Sequence, residues 1–223
     1  MDRYGYLKTA AAIPSVRVAD CAYNGERIAA LVAEAAERGV EIVVFPELSM
    51  TGYTCGDLFL QPVLLAAAEQ ALAELVERTA ELNTAFVVGL PVAVDDMLYN
   101  CAVVAAAGEL LGVVPKRHIP DYAEFYESRW FASGEGRPTV EIELCGQSVP
   151  FGPDLLFDIN GARCGVEICE DLWVPAPPSS SLATAGAEVL LNLSASPETV
   201  GKSDYVRQLV AQQSARTRAA YLY

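Results

Sequence analysis

Apolar residues along this chain fall into short runs of two kinds, and the order of the two kinds predicts the start of the fold. Residues 7–13, 41–45 and 85–92 are apolar or β-branched stretches of strand length, the first two closed by Pro14 and Pro46. Between them lie two stretches with helical spacing. Ile28, Leu31, Val32 and Ala35 share one helical face, with Asn24 as the predicted N-cap and Gly39 as the stop. Residues 63–82, dense in Ala, Leu and Glu, predict a longer helix. The order β-α-β-α-β predicts a sheet with parallel members covered by helices.

The middle of the chain changes pattern. Residues 98–105 and 109–114 flank Ala106-Ala-Gly108, and Asp95-Asp96 marks an earlier turn, so hairpins are expected here. Residues 117–138 are polar and aromatic with no sustained period, and a stretch of that length without structure inside a compact domain is usually functional. Strands are predicted again at 139–144, 155–159 and 163–168. The prolines from Pro175 to Pro178 and the following serines read as a turn into a short helix at 183–186. A strand at 188–193, a helix at 205–220 and the start of another apolar run at Tyr221-Leu-Tyr223 complete the pattern.

Composition narrows the class of molecule. Hydrophobic residues are 52% of the 223, enough for one large core, and no apolar run reaches the length of a membrane span. The first residues, Met1-Asp-Arg-Tyr-Gly-Tyr, lack the layout of a signal peptide, so a cytoplasmic protein is expected. Fifteen Lys and Arg stand against 29 Asp and Glu, a net charge of −14. Without a basic cluster, neither nucleic acid nor an anionic membrane is an expected partner. The six cysteines form no Cys-x-x-Cys pair and His118 is the only histidine, so no metal site is expected.

Three apolar runs end in a reactive side chain: Phe45-Pro-Glu47, Pro115-Lys116, and Gly165-Val-Glu-Ile-Cys169-Glu-Asp-Leu-Trp173. Open α/β sheets hold their reactive groups beyond the strand ends. Attack by cysteine on a carbonyl needs a base for the thiol proton and donors for the oxyanion. Glu47 can be that base, and Lys116 can hold the oxyanion and lower the thiol pKa, with the N–H of Glu170 as a second donor. Taken singly, each residue has a plainer reading. Free cysteine is commonly a buried packing residue, Glu47 a capping or solvated carboxylate, and Lys116 with Arg117 a solvated loop pair. A papain-like pairing of Cys169 with His118 is the rival assignment.

Together the three segments resemble the signature of the carbon–nitrogen hydrolase (nitrilase) superfamily, in order and spacing, from the first strand to the last residue. Within it, Thr51-Gly-Tyr-Thr-Cys-Gly-Asp57-Leu-Phe, Ile119-Pro-Asp-Tyr122-Ala-Glu-Phe125-Tyr-Glu127-Ser-Arg-Trp130-Phe and Asn192-Leu-Ser-Ala-Ser196-Pro-Glu-Thr-Val-Gly201-Lys202 are similar to segments of the glutaminase domain of glutamine-dependent NAD⁺ synthetases. The resemblance implies an α/β fold, a four-layer α-β-β-α sandwich, with Glu47, Lys116 and Cys169 as the triad and Glu127 as a second, supporting carboxylate. It also implies a glutamine pocket of Tyr122, Phe125, Glu170, Ser196 and Lys202, where Lys202 stands in place of the arginine expected to grip the α-carboxylate.

No cofactor is implied for this domain. ATP and Mg²⁺ are expected only in a synthetase domain, whose nucleotide loop does not occur in this sequence. The chain therefore reads as residues 1–223 of a glutaminase domain that stops before its last strands, expected as a homo-oligomer. Two other functions remain open at this point. One is a stand-alone amidase or carbamoylase acting on another small amide, and the other is a non-catalytic interaction domain.

Overall fold

The computed structural model describes residues 5–223. The part of the signal-peptide reading that rests on Met1 to Tyr4 lies outside them. Among these residues lie eleven strands and four helices, all but β7 in the expected order: β1 (Thr9–Ala11), α1 (Cys21–Glu37), β2 (Ile42–Val44), α2 (Pro62–Arg78), β3 (Ala85–Val94), β4 (Met97–Ala106) and β5 (Glu109–Pro115) come first. After the long loop come β6 (Val140–Leu144), β7 (Gln147–Phe151), β8 (Leu156–Ile159), β9 (Ala162–Ile168), α3 (Pro178–Thr184), β10 (Val189–Leu193), α4 (Lys202–Thr217) and β11 (Ala220–Leu222).

The strands form two sheets, one in the order β1-β2-β3-β4-β5-β7-β6 and the other β11-β10-β9-β8. The alternation of side chains along each strand assigns them to layers. Val43, Phe86, Val88, Cys101 and Val103 face α1 and α2, while Ile42, Val44, Val87, Ala102 and Val104 face the second sheet. There they meet Val166, Ile168, Leu191 and Leu193. Leu190 packs on the other side against Leu182 of α3. The result is the expected four-layer α-β-β-α sandwich.

Local chemistry explains several boundaries. Asp20, not Asn24, caps α1, accepting a hydrogen bond from the Tyr23 N–H at 3.2 Å. Asn24 lies inside the helix, fully buried, where its amide donates to the carbonyls of Arg17 (2.9 Å) and Met50 (3.0 Å). Both residues are good caps in isolation; burial distinguishes them. Proline at the first position of a helix costs no hydrogen bond, so α3 begins at Pro178, five residues before the start read from sequence. The strand β7 was not anticipated, since Gln147-Ser-Val-Pro-Phe mixes polar residues with a proline. It pairs antiparallel with β6 across the Cys145-Gly146 turn.

Topology brings the reactive ends together. β2 and β3 are parallel, and the two hairpin reversals through β4 return β5 to the direction of β2. The loop after β2 and Lys116 after β5 thus leave the first sheet at one edge. β9, β10 and β11 are mutually parallel and end at the facing edge of the second sheet. The loop carrying Glu47 folds back over β3, with Met50 N–H bonded to Gly89 O at 3.0 Å.

Only a glycine permits that approach. A Cβ on Gly89 would lie 2.3 Å from Leu48 N and 2.9 Å from the Glu47 carbonyl carbon. Gly89→Ala is therefore expected to lower unfolding free energy by about 1–3 kcal/mol, the usual cost of forcing extra volume into a packed site. Urea denaturation measures this, and an unchanged midpoint would contradict the close approach.

Candidate active site

The first residue after β5 is Lys116, whose side chain is wholly buried. A buried ammonium is costly unless surrounded by acceptors. Here Nζ lies 2.6 Å from Glu47 Oε1 and 2.8 and 2.9 Å from the two oxygens of Glu127. Neutral donors complete the cluster. Asn100 on β4 donates to Glu47 Oε1 at 2.7 Å, and the Ala195 N–H donates to Glu47 Oε2 at 3.1 Å. The Tyr53 hydroxyl donates to Glu127 Oε1 at 2.7 Å. Burial lowers the Lys116 pKa, but Glu47, Cys169 and Glu127 outweigh it and the net shift is upward. Burial and the charge of Glu47 push Glu127 upward against the pull of Lys116.

Cys169 directly follows β9 of the opposite sheet, with a φ of +46°. That left-handed conformation is unfavourable for a side-chain-bearing residue, by about 1–3 kcal/mol, and persists only where its surroundings enforce it. Hydrogen bonds on both sides enforce it here. Asn192 Oδ1 accepts from the Cys169 N–H at 3.0 Å, and Asn192 Nδ2 donates to the Tyr221 hydroxyl at 3.0 Å. Tyr221 in turn donates to buried Glu167, whose other oxygen takes the N–H of Ser179 at 2.7 Å. On the near side Asp171 accepts from the Ile168 N–H at 3.0 Å and from the His118 N–H at 2.8 Å.

The thiol itself is not an acidic one. Burial, and then the charge of Glu47, push Cys169 up to about 12, and Lys116 only partly offsets them. Lys116 does lower it, as expected from the sequence, but by less than burial and Glu47 raise it.

The remaining residues named from sequence lie around this centre in two groups. Tyr122 donates to Glu170 Oε2 at 2.9 Å, and Phe125 packs edge-on to Tyr122 with ring centres 5.7 Å apart. Lys202 donates to Ser196 Oγ and to Pro197 O (3.0 Å), with Nζ 5.2 Å from the centre of the Trp173 ring. A cavity of about 370 Å³ is lined by Ser194, Ser196, Lys202 and Tyr223 together with Pro46. His118 pairs with Asp171, its Nδ1 2.9 Å from Oδ1, while the side-chain hydrogen bond at the Cys169 sulfur comes from Ser194 and not from the histidine, contrary to the papain-like assignment. Sequence reasoning missed Tyr53, Asn100, Asn192 and Ser194. Asn100 and Asn192 each carried a signal, a lone amide inside a run of buried strand residues.

Comparison with known proteins places the chain in a family. Residues 8–222 match the family model described as carbon-nitrogen hydrolase. The chain belongs to the carbon–nitrogen hydrolase family. It is 44% identical to the glutamine-dependent NAD(+) synthetase of Mycobacterium tuberculosis over 99% of its own length and 33% of that protein's. The crystal structure of the Cytophaga hutchinsonii glutamine-dependent NAD(+) synthetase superposes with a TM-score of 0.87 at 30% identity, over 96% of this chain and 35% of that one. An amidase from Nesterenkonia shares the fold with a TM-score of 0.72 at 20% identity, over 96% of this chain and 75% of its own. The chain spans about a third of the length of the curated synthetases it matches.

The pairing of His118 with Asp171 has a consequence for stability. The hydrogen bond to Asp171 raises the pKa of this histidine above its ordinary value of 6.5, against a smaller effect of burial. A group raised in the folded state contributes stability that is fully present below its unfolded pKa and is lost as pH rises through the folded one. The stability gap between the unsubstituted chain and His118→Asn is expected to be widest near pH 5 and to narrow by about pH 8.5. Denaturant titrations across that interval measure it; a gap independent of pH would contradict the pairing.

Proposed function

We propose that this chain is a glutaminase domain, and that it releases ammonia from the side-chain amide of glutamine for use in NAD⁺ synthesis by the whole protein. The observation that carries the reading is the buried Glu47–Lys116–Glu127 cluster acting on a strained, protonated Cys169. When both carboxylates are ionised the cluster has one negative charge in excess, which suits it to accept a proton.

In this reading Glu47 takes the thiol proton as sulfur attacks the amide carbon. Lys116 and the Glu170 N–H hold the oxyanion. As the tetrahedral intermediate collapses, the C–N bond breaks and Glu47 returns the proton to the departing ammonia. Water, deprotonated by the same carboxylate, then cleaves the thioester, giving glutamate and the free thiol. Glu127 keeps Lys116 aimed, and Tyr53 and Asn100 hold the two carboxylates in place.

Recognition of the amino-acid end follows from the two outer groups. Glu170, oriented by Tyr122, offers an acceptor for the α-ammonium. Both hydrogen bonds of Lys202 go to neutral oxygens, so its charge is available to the α-carboxylate. A lysine grips a carboxylate through one point rather than two, so the contact is looser than an arginine would give. The resemblance to glutamine-dependent NAD(+) synthetases supports glutamine over other amides.

Ammonia release from glutamine, coupled to an indicator enzyme, tests the proposal. Cys169→Ala is expected to abolish turnover; a variant that keeps it would refute the assignment of the nucleophile. Lys202→Met is expected to raise KM about 10- to 100-fold, the size of a lost hydrogen bond to a charged group, with kcat little changed.

A further inference from the structure

Behind the sulfur lies a pair of hydroxyls that the chemistry above does not use. Ser194, one residue past β10, places Oγ 3.4 Å from Cys169 Sγ and 2.9 Å from the Tyr223 hydroxyl. Tyr223 lies one residue past β11. A serine has a single proton to give. Both contacts draw on the Ser194 hydroxyl, so sulfur and the tyrosine oxygen compete for that proton. A charged sulfur is the stronger acceptor, and the Tyr223 hydroxyl can then turn to donate to Ser194 Oγ in its place.

The neighbouring residue strengthens the argument. The N–H of Ala195 donates to Glu47 Oε2 at 3.1 Å. Two consecutive residues therefore touch the two ends of the proton transfer, Ala195 the base and Ser194 the nucleophile. Both contacts come from the chain just beyond β10, which pairs with β9 residue for residue up to Leu193 opposite Ile168. The serine is thus fixed relative to the cysteine by the sheet itself.

We propose that Ser194 is a catalytic hydrogen-bond donor to the Cys169 thiolate, held in its donating orientation by Tyr223 as a positioning residue. The inference rests on Cys169 being the nucleophile. As the thiol proton passes to Glu47, charge develops on sulfur and the Ser194 O–H···S contact strengthens, with no covalent change at the serine. The same donor acts again when the C–S bond of the intermediate breaks and sulfur leaves as thiolate. A donor whose acceptor gains charge along the reaction contributes to kcat more than to KM.

The test measures glutamine kinetics together with the pH dependence of Cys169 alkylation by iodoacetamide, read on the Cys169 peptide by mass spectrometry. Ser194→Ala is expected to lower kcat about tenfold or more with KM within about twofold, and to move the alkylation profile to higher pH. Ser194→Thr, which keeps the hydroxyl, should recover most of both, and Tyr223→Phe should give an intermediate shift. An alkylation profile unmoved in Ser194→Ala, or Ser194→Thr no better than Ser194→Ala, would overturn the proposal. Should Ser194→Ala fail to fold, Ser194→Thr and Tyr223→Phe decide the matter, since a packing role predicts no shift in the profile of Tyr223→Phe. Turnover by Cys169→Ala would instead refute the nucleophile itself, so the two failures are distinguishable.

Discussion

The ammonium of Lys116, enclosed between Glu47 and Glu127, is the constraint around which this molecule is arranged. Removing a charge from water costs several kcal/mol, and only close, well-directed partners offset it. The chain supplies the two acceptors from the loop after β2 (Glu47) and the loop before β6 (Glu127), and steadies Glu47 in turn with donors from β4 (Asn100) and from the segment after β10 (the Ala195 N–H). Each of those segments must arrive at the same point for any of the charges to be tolerated. Removing one partner from such a set leaves an uncompensated buried charge, at a typical cost of about 3–5 kcal/mol. The cluster is therefore a requirement of the fold as much as of the proposed chemistry.

The proposed nucleophile comes from the other sheet, and this division has a chemical meaning. Glu47 and Lys116 belong to one β-layer and Cys169 to the other, so the apolar layer of Val44, Val104, Val166 and Leu191 sets the distance between base and thiol. A packed apolar layer deforms little. The same burial that makes the layer rigid raises the Cys169 pKa. A thiol whose pKa is raised is less open to oxidation and stray alkylation, since the thiolate is the reactive form.

How much of this was legible in the sequence depended on where each residue sits in its element. Glu47, Lys116 and Cys169 stand out because a charged or nucleophilic residue directly after an apolar run breaks the pattern. Asn100 and Asn192 break it too, but inside a strand, where a single amide is easily read as tolerated rather than required. Burying an amide without partners costs on the order of 1–3 kcal/mol, so each of these had to be bonded to something in the interior. Ser194 and Tyr53 gave no such sign, because a hydroxyl in a loop is unremarkable until the fold shows what it touches. The cap of α1 was misassigned for a related reason: Asp20 and Asn24 have equal capping chemistry, and only the packing of Asn24 against Met50 separates them.

The long segment from Arg117 to Pro138 was expected to be functional because it has no period of its own, and its order turns out to be imposed from outside. His118 is held by Asp171 beside the nucleophile. Arg129 and Trp130 are both held by Asp57, at 2.6 and 2.8 Å from the guanidinium and 2.9 Å from the indole. Gly134 N–H returns to Lys116 O at 2.8 Å, closing the loop onto the strand end it left. Between these ties Glu127 points inward to Lys116, and Tyr122 stands at the rim, half-exposed, beside Glu170. Inward-pointing charge fixes the loop's position, while the rim residues can meet a substrate without disturbing it. A loop with its own hydrophobic period would have had to bury a stripe against the core, leaving no means to present one carboxylate inward and an aromatic rim outward within six residues. The lack of periodicity is what this double task requires.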